Sequence, residues 1–266
     1  MNELSVESIG LMAPGLIGWP ASQAVLTGAQ PYQADPIPAA LGTLLPANER
    51  RRTTATVKLA LQVAQEAMAN DFGAVRHTLG VHTVLASSGG DSEVLDKICT
   101  ALTQPDRPVS PTQFHHSVHN TPAGYWAIAT GYTLPSLSLS AYNGSFAAGL
   151  REAAALAWME QARVLLVAYD LPLPFPLSEQ RQIIAPFAVA LLLNPLDTAH
   201  RLALLRFPRE TTGSATALEN PALDALRLGN PAARSLPLLC AIVRHRAQRV
   251  ALPVGEGECL TLEIQP

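Results

Sequence analysis

The stretch from residue 136 to residue 149 constrains the fold of this chain more than any other. It begins with SLSL, which is typical of a short strand, and runs into FAAGLREAAALAW, which is typical of a helix. The small turn Ala141-Tyr142-Asn143-Gly144 lies between them. Many α/β enzymes carry a nucleophile at such a turn, because the turn exposes a side chain and the helix N-terminus stabilises negative charge. The residue expected at the apex is Ala141, which has no nucleophilic group.

The segment resembles the active-site strand and helix of β-ketoacyl synthases, in which Thr-Ala-Cys-x-(Ser/Thr)-Gly precedes a helix. On that pattern Ala141 stands at the cysteine, and Gly144 and Gly149 stand at the two glycines. Residues 45–53, 86–91 and 117–126 resemble the N-terminal half of the same family in the same order. The resemblance covers about residues 1–170. It is to the short synthase-like proteins of aryl-polyene pathways, which resemble the chain length factors of type II polyketide systems.

Strands and helices are predicted to alternate, which favours α/β layers. The resemblance implies a thiolase-like layered αβαβα fold, with a complete N-terminal half (1–175) and a shortened C-terminal half (176–266) of one compact unit. Predicted strands lie at 6–11, 79–86, 136–140, 163–169, 187–193, 201–207 and 260–264. Predicted helices run from Asn48 to about Asn70, from Asp91 to Leu102, over 121–130, from 146 onward, over 222–228 and over 235–248. Residues 15–46 are expected to be irregular, and the apolar run 163–169 is typical of a parallel sheet covered by helices.

The histidines argue against catalysis by this chain. The resemblance implies that a synthase needs two histidines from its C-terminal half, in motifs of the His-Gly-Thr-Gly-Thr and Lys-x-x-x-Gly-His kind, to polarise the malonyl carboxylate and the thioester oxyanion. After residue 170 the chain has only His200 and His245, without the neighbouring Gly or Thr, and has no lysine. Ser138, Ser140 and Ser145 flank the turn and leave a hydroxyl nucleophile open as an alternative.

The resemblance implies no catalytic residue here and a set of interface or acyl-pocket residues instead. They are His119, Asn120, Tyr125, Trp126, Leu137, Leu139, Tyr142 and Phe146. Tyrosine and tryptophan are natural interface anchors, although a role as ordinary core aromatics is the alternative. The cluster around His115 and His116 has no neighbouring carboxylate or cysteine, so no metal site is expected. Arg50-Arg51-Arg52, placed at a helix start, would oppose the helix dipole and either faces solvent or meets an acidic partner.

Composition narrows the function classes further. A net charge of −3 offers no basic field for nucleic acid. Charged residues make up 15% of the chain, below the usual quarter, and this favours either a surface covered by another subunit or a large core alone. The three cysteines are widely spaced and no apolar run is long enough for a membrane span, so we expect neither disulfides nor a membrane anchor, and a cytoplasmic location.

The resemblance therefore implies a catalytically silent partner of an active β-ketoacyl synthase. The two subunits would form a heterodimer that shapes the acyl tunnel and meets the acyl carrier protein, without a cofactor in this chain. Two alternatives stay open. One is a stand-alone thiolase-fold acyl hydrolase or transferase that uses an unrecognised Ser or His, and the other is a homodimeric module that binds a carrier protein.

Overall fold

A mixed β-sheet runs through the computed structural model, which describes residues 3–69, 81–196, 201–208 and 214–266. Its nine described strands are β1 (Glu3–Ala13), β2 (Leu16–Ile17), β3 (His82–Ala86), β4 (Ser136–Leu139), β5 (Val164–Asp170), β6 (Phe187–Asn194), β7 (Ala203–Arg206), β8 (Gln248–Gly255) and β9 (Glu258–Gln265). The described helices are α1 (Trp19–Leu26), α2 (Ala47–Arg52), α3 (Ala55–Ala67), α4 (Ser92–Leu102), α5 (Pro111–Ser117), α6 (Thr121–Thr130), α7 (Ser145–Glu160), α8 (Leu177–Gln180), α9 (Pro221–Gly229) and α10 (Leu236–Val243). Two 3₁₀ turns, Tyr142–Gly144 and Ala232–Ser235, precede α7 and α10.

The strand order places β4 and β8 at the two edges of the sheet. The order is β4-β3-β5-β6-β1-β7-β9-β8, with β2 added to the end of β1. β3 is parallel to β4 and to β5, whereas every other described pair is antiparallel. The carboxyl ends of β3, β4 and β5 therefore meet on one side of the sheet, and this is where the turn after β4 begins.

Alternating side chains give the sheet two buried faces. On β5, Leu165 and Val167 pack with α3 and α6, while Val164, Leu166 and Ala168 pack with α7. β6 alternates in the same way, which explains why both strands read as continuous apolar runs. α7 contacts β3 and β5 and also β8, so it lies between the central strands and the C-terminal hairpin. The described helices thus cover both faces of this sheet.

Three sequence predictions on local structure are wrong. Residues 15–46 are not all irregular, because α1 forms with Pro20 in its first turn, where proline is compatible with a helix. The helix expected from Asn48 is broken at Thr53, and Thr54 caps α3 by accepting from the Val57 N–H at 3.3 Å. The last predicted helix ends at Val243 instead of 248, and residues 248–255 form β8, which pairs with β9.

The break at Thr53 also changes the interpretation of the arginine triplet. Arg50, Arg51 and Arg52 occupy the last turn of α2, not the start of a long helix. Positive charge is favourable at a helix C-terminus, so the triplet does not oppose the dipole.

The other predicted elements are confirmed, with different end residues. β5 does lie under helices, but its sheet is mixed and not parallel throughout. Asp91 caps α4 by accepting from the Val94 N–H at 3.1 Å. Residues 70 and 79–80, at the ends of a predicted helix and strand, lie outside the described residues, as does His200. No helix in the described part of the chain is long and apolar enough to cross a membrane. The boundary at residue 175 stays a prediction.

Candidate functional site

The predicted strand, turn and helix are present. β4 ends at Leu139, and a 3₁₀ turn leads into α7 at Ser145. The left-handed residue of the turn is Tyr142, with φ of 51°, one position after Ala141, and its side chain is 60% exposed. The Ala141 N–H donates to Ser145 Oγ at 3.0 Å, and the Ser145 hydroxyl donates to the Tyr142 carbonyl at 2.7 Å. The two hydrogen bonds of Ser145 therefore fix the shape of the turn. The side chain of Ala141 is a methyl group and offers no nucleophile.

Both glycines of the motif are required by close packing. The α-carbon of Gly144 lies against the Val254 carbonyl of β8, and a Cβ there would overlap it. A Cβ on Gly149 would lie 2.8 Å from the Ala86 Cβ and 3.1 Å from Leu166 Cδ1. Gly144 thus brings the turn against the C-terminal hairpin, and Gly149 brings α7 down onto β3 and β5.

A cavity of about 400 Å³ opens beside Ala141. Its walls are the turn, the end of β8 and one side chain of the second 3₁₀ turn, that is, residues 141–144, Arg234 and residues 253–256. None of these lining residues is a cysteine or a histidine. The place where the family motif carries its nucleophile is open to small molecules, but its described walls provide no thiol and no imidazole.

Three described histidines, His116, His119 and His245, lie outside the lining of this cavity. His119 Nε2 is 3.0 Å from the Leu139 carbonyl, and its ring lies so close to Gly90 that a Cβ there would be 3.1 Å from Nδ1. His119 therefore holds the loop before α6 against the end of β4. His116 is buried and stacks on Tyr125 at 5.6 Å between ring centroids. His245 is exposed just after α10.

The serines at the turn have other hydrogen-bond partners, or none, among the described residues. Ser140 donates to the Ser88 carbonyl at 3.1 Å, and Ser145 is committed to the turn. Ser138 Oγ is buried without a hydrogen-bond partner among the described residues. In the described part of the chain, none of the three hydroxyls is hydrogen-bonded to a histidine.

The structure divides the eight predicted interface or pocket residues into two groups. Tyr125, Trp126 and Phe146 are buried, the first two in the core next to α3 and the last on the inner face of α7. Leu137 is 39% exposed, and Tyr142 and Asn120 are also exposed, while His119 and Leu139 are half-buried. The interface or pocket role of all eight residues stays a prediction. The exposed and half-buried residues can contact a second protein without rearrangement, whereas the three buried ones cannot.

Exposed apolar side chains concentrate around the β4 edge of the sheet. Of the fifteen large apolar side chains exposed among the described residues, eight lie between residues 95 and 142. They belong to α4, α5, α6, β4 and the adjoining turns, and we call them the edge face: Leu95, Leu102, Phe114, Val118, Ile128, Leu134, Leu137 and Tyr142. α4 contacts α5, α5 contacts α6, and α6 contacts β4, so these elements are neighbours. Large exposed apolar patches are typical of interaction surfaces.

Sequence reasoning missed a buried polar network behind the turn. Asp170 Oδ1, at the end of β5, accepts from the Ser88 N–H at 2.8 Å and from the Ser88 and Ser87 hydroxyls at 2.6 and 3.2 Å. Burial raises the pKa of Asp170 to about 6, and the bonds from Ser88 and Ser87 act in the opposite direction. The Ser-Ser-Gly-Gly sequence at residues 87–90 is typical of a turn, but nothing in it indicates that the turn encloses a carboxylate.

A second missed residue, Asn230, joins the network to the second 3₁₀ turn. Its fully buried amide donates to the carbonyls of Asp170 at 3.0 Å and Ala185 at 2.8 Å. Its Oδ1 accepts from the Ala232 and Ala233 N–H groups at 2.8 and 3.2 Å. The Gly-Asn-Pro sequence at 229–231 is a turn signal, and its partners on β5 could not be inferred from it.

The described residues contain no group of three or more His, Cys, Asp or Glu side chains arranged to hold a metal ion. This includes the surroundings of His115 and His116, where the sequence has several potential ligands close together.

Comparison with known proteins identifies the fold and the family. The chain is 24% identical, with a TM-score of 0.73 and coverage of 100% of both chains, to a chain in the structure of the ketosynthase ApeO in complex with its chain length factor ApeC from Xenorhabdus doucetiae. It is 14% identical to a chain of the ishigamide ketosynthase/chain length factor, with a TM-score of 0.74 and coverage of 98% of this chain and 99% of that one. No curated protein sequence matches.

A third solved structure is a type II acyl carrier protein in complex with its ketosynthase bound to the hexaketide, at 12% identity, a TM-score of 0.73 and 99% coverage of both chains. These likenesses confirm the predicted thiolase-like ketosynthase fold. The family model described as beta-ketoacyl synthase, N-terminal domain, matches residues 19–249. The family predicted from the four sequence stretches is thereby confirmed, and the chain belongs to the β-ketoacyl synthase N-terminal domain family.

Proposed function

We propose that this chain is a catalytically silent partner, like a chain length factor, of an active β-ketoacyl-acyl carrier protein synthase. The complex would elongate acyl chains in aryl-polyene biosynthesis or in a related polyketide or fatty-acid-type pathway, in the cytoplasm. The observation that carries the proposal is Ala141, which stands at the turn beside a cavity whose described walls contain neither cysteine nor histidine.

Decarboxylative condensation needs a nucleophile that holds the acyl chain and donors that stabilise the developing oxyanion. Residues 225–230 read Ala-Leu-Arg-Leu-Gly-Asn, so a Lys-x-x-x-Gly-His pattern placed on Gly229 would have Ala225 at the lysine and Asn230 at the histidine. The amide of Asn230 is committed to four backbone groups. It is therefore a structural residue, which supports the absence of catalysis.

The edge face supports a stable heterodimer. β4 is an edge strand, with β3 as its described neighbour, and Leu137 on it is exposed. An unpaired edge strand beside an apolar surface is unfavourable in water unless a partner covers it. A partner that continues the sheet would satisfy the free backbone groups of β4 and bury the apolar side chains together.

The similar structures support the identity of the partner. Two of them contain a ketosynthase together with a chain length factor, and the third contains a ketosynthase together with an acyl carrier protein. By analogy, this chain would pair with an active ketosynthase and meet the carrier protein through that complex. Tyr142, exposed at the turn, would then lie where it can limit the acyl tunnel.

The proposal is tested by producing this chain together with the active synthase subunit of its own pathway. Size-exclusion chromatography should show a heterodimer, and condensation of malonyl-carrier protein should require both chains. A control preparation contains the synthase with its active cysteine replaced by alanine, and we expect it to assemble but not to condense. Condensation by this chain alone, or a homodimer that ignores the synthase, would contradict the proposal and favour one of the two alternatives.

A further inference from the structure

Arg234 brings an uncompensated positive charge to the cavity beside Ala141. It lies on the 3₁₀ turn Ala232–Ser235, is half-buried and lines the cavity. Its Nε is buried without a hydrogen-bond partner, and no carboxylate among the described residues forms an ion pair with its guanidinium. A buried N–H group that has lost water and gained no partner is unfavourable, and an anion bound at the guanidinium would supply the missing partner.

The neighbouring charges increase the need for an anion. Burial, followed by the positive charges of Arg227 and Arg181, lowers the pKa of Arg234. Arg227 is already neutralised by Asp224, with 2.6 Å between Nε and Oδ1. Arg181 lies over the ring of Tyr142, with its Cζ 4.1 Å from the ring centroid. Arg234 is therefore the arginine of this group that borders the cavity and has no partner of its own within the described residues.

The position of Arg234 is fixed by the fold. Asn230 accepts from the Ala232 and Ala233 N–H groups and donates to the carbonyl of Asp170. Asn230 therefore links the start of the 3₁₀ turn to the end of β5. Arg234 directly follows Ala233, the second residue whose N–H Asn230 accepts. Gly144, packed against Val254, fixes the opposite wall. The backbone that carries Arg234 is therefore held in place by these contacts. This favours binding, because little conformational entropy is lost when a ligand binds.

We propose that this cavity binds a small organic carboxylate, whose oxygens accept hydrogen bonds from the guanidinium of Arg234. A carboxylate matches the planar fork of arginine, and its single charge balances one unpaired arginine. Glu256, the carboxylate in the described cavity wall, would repel a doubly charged anion such as phosphate more strongly than a singly charged carboxylate. The walls formed by Ala141, Pro253 and Val254 are apolar and would hold the carbon part of the ligand. A volume of about 400 Å³ suits a small molecule. The site goes beyond the proposed function, because it is a property of this chain alone.

The test is a titration of the full-length chain with butyrate and, separately, with inorganic phosphate. Binding is followed by calorimetry and by the ¹⁵N resonance of the Arg234 Nε–H group, assigned by its loss in Arg234→Gln. We expect saturable butyrate binding that moves this resonance, and weaker binding of phosphate. Arg234→Gln should weaken butyrate binding at least about tenfold, because a charge-assisted hydrogen bond is lost. Arg234→Lys keeps the charge but not the fork, so we expect an intermediate affinity.

The matched control is Arg249→Gln, which removes an exposed arginine paired with Glu263 at 2.8 Å and should leave butyrate binding unchanged. Butyrate binding that survives Arg234→Gln, or a titration in which the Arg234 resonance does not move, would overturn the inference. If Arg234→Gln fails to fold, the resonance can be assigned through Arg234→Lys and the titration of the unmodified chain decides. Phosphate binding as tight as butyrate would overturn the assignment to a carboxylate. Heterodimer formation is measured separately, so failure of this inference is distinguishable from failure of the proposed function.

Discussion

The α-carbon of Gly144 packs directly against the backbone carbonyl of Val254, with no room for a Cβ between them. This contact joins the turn after β4 to β8, a strand that was not predicted from the sequence. Both residues also line the cavity beside Ala141. The C-terminal hairpin therefore sets the width of the cavity that the N-terminal motif opens.

Gly144→Ala should destabilise the chain by about 1–3 kcal/mol, because the new methyl group would force the turn and β8 apart. Denaturant unfolding measures the change in the free energy of unfolding. The matched control is Gly124→Ala in α6, where a Cβ would meet no atom within 4 Å. That control should leave the stability unchanged or raise it by up to ~1 kcal/mol, because alanine favours a helix. Equal effects of both substitutions would show that the contact with Val254 is not tight.

Leu137→Asp should abolish or strongly weaken the heterodimer, because it places a charge on the exposed side chain at the β4 edge. An obligate interface of this kind should bury more than ~2,000 Å² in total. Leu228→Asp on α9 is a suitable control, since Leu228 is also exposed, at 59%, and lies outside the edge face. Analytical size-exclusion chromatography of the co-produced subunits gives the readout. If both variants assemble equally well, the interface lies elsewhere.

Asp170→Asn should change how stability depends on pH. The pKa of Asp170 in the folded chain, about 6, lies above the ordinary value of an aspartate in an unfolded chain. The folded state therefore holds the proton more tightly, so the stability linked to this group is fully present below the unfolded pKa. It is lost as the pH rises through about 6. Over that range the unmodified chain should lose about 3 kcal/mol relative to Asp170→Asn.

Thermal or denaturant unfolding is measured at several pH values between the pKa of an unfolded aspartate and the folded pKa of about 6. It gives the difference in the free energy of unfolding between Asp170→Asn and the unmodified chain. Asn at residue 170 keeps an oxygen that can accept from Ser88 and Ser87, so the variant should fold. Asp106→Asn, at an exposed position, should follow the unmodified chain at every pH. A constant offset between Asp170→Asn and the unmodified chain would mean that Asp170 does not titrate in this range.

Tyr142→Ala should lengthen the product of the assembled complex. An apolar chain stops growing where further extension would overpack fixed side chains. Tyr142 is exposed at the turn, whereas Tyr125 and Phe146, two other aromatics predicted for the interface or acyl pocket, are buried. Product mass or a red shift of absorbance reports the length. Phe146→Ala should instead lower stability by roughly 3–5 kcal/mol through a core cavity. Unchanged length with Tyr142→Ala in an intact complex would remove its role as the stop.

The local features of the site could be predicted from the sequence because their causes are local. The turn after β4 depends on Gly144 and on the helical run that follows, and both are visible in fourteen consecutive residues. The β5 strand could be found because a continuous apolar run needs burial on both faces.

The remaining features depend on partners far away along the chain. β8 is a strand because β9 pairs with it, although its first residues follow a helix without a strong stop signal. Asp170 and Ser88 are 82 residues apart, and Asn230 and Asp170 are 60 apart, so neither bond has a local pattern. α1 was missed because proline and glycine in residues 15–46 suggested irregular structure, although proline is compatible with the first turn of a helix.

We propose that this chain contributes structure to the complex but no nucleophile. Ala141→Cys alone should not create a synthase, because the two histidine motifs of the C-terminal half remain absent. The most direct measurement is intact mass spectrometry of both subunits of the co-purified complex after incubation with an acyl-carrier protein donor. We expect added acyl mass on the synthase subunit and none on this chain. A stoichiometric acyl adduct on this chain would contradict the proposal.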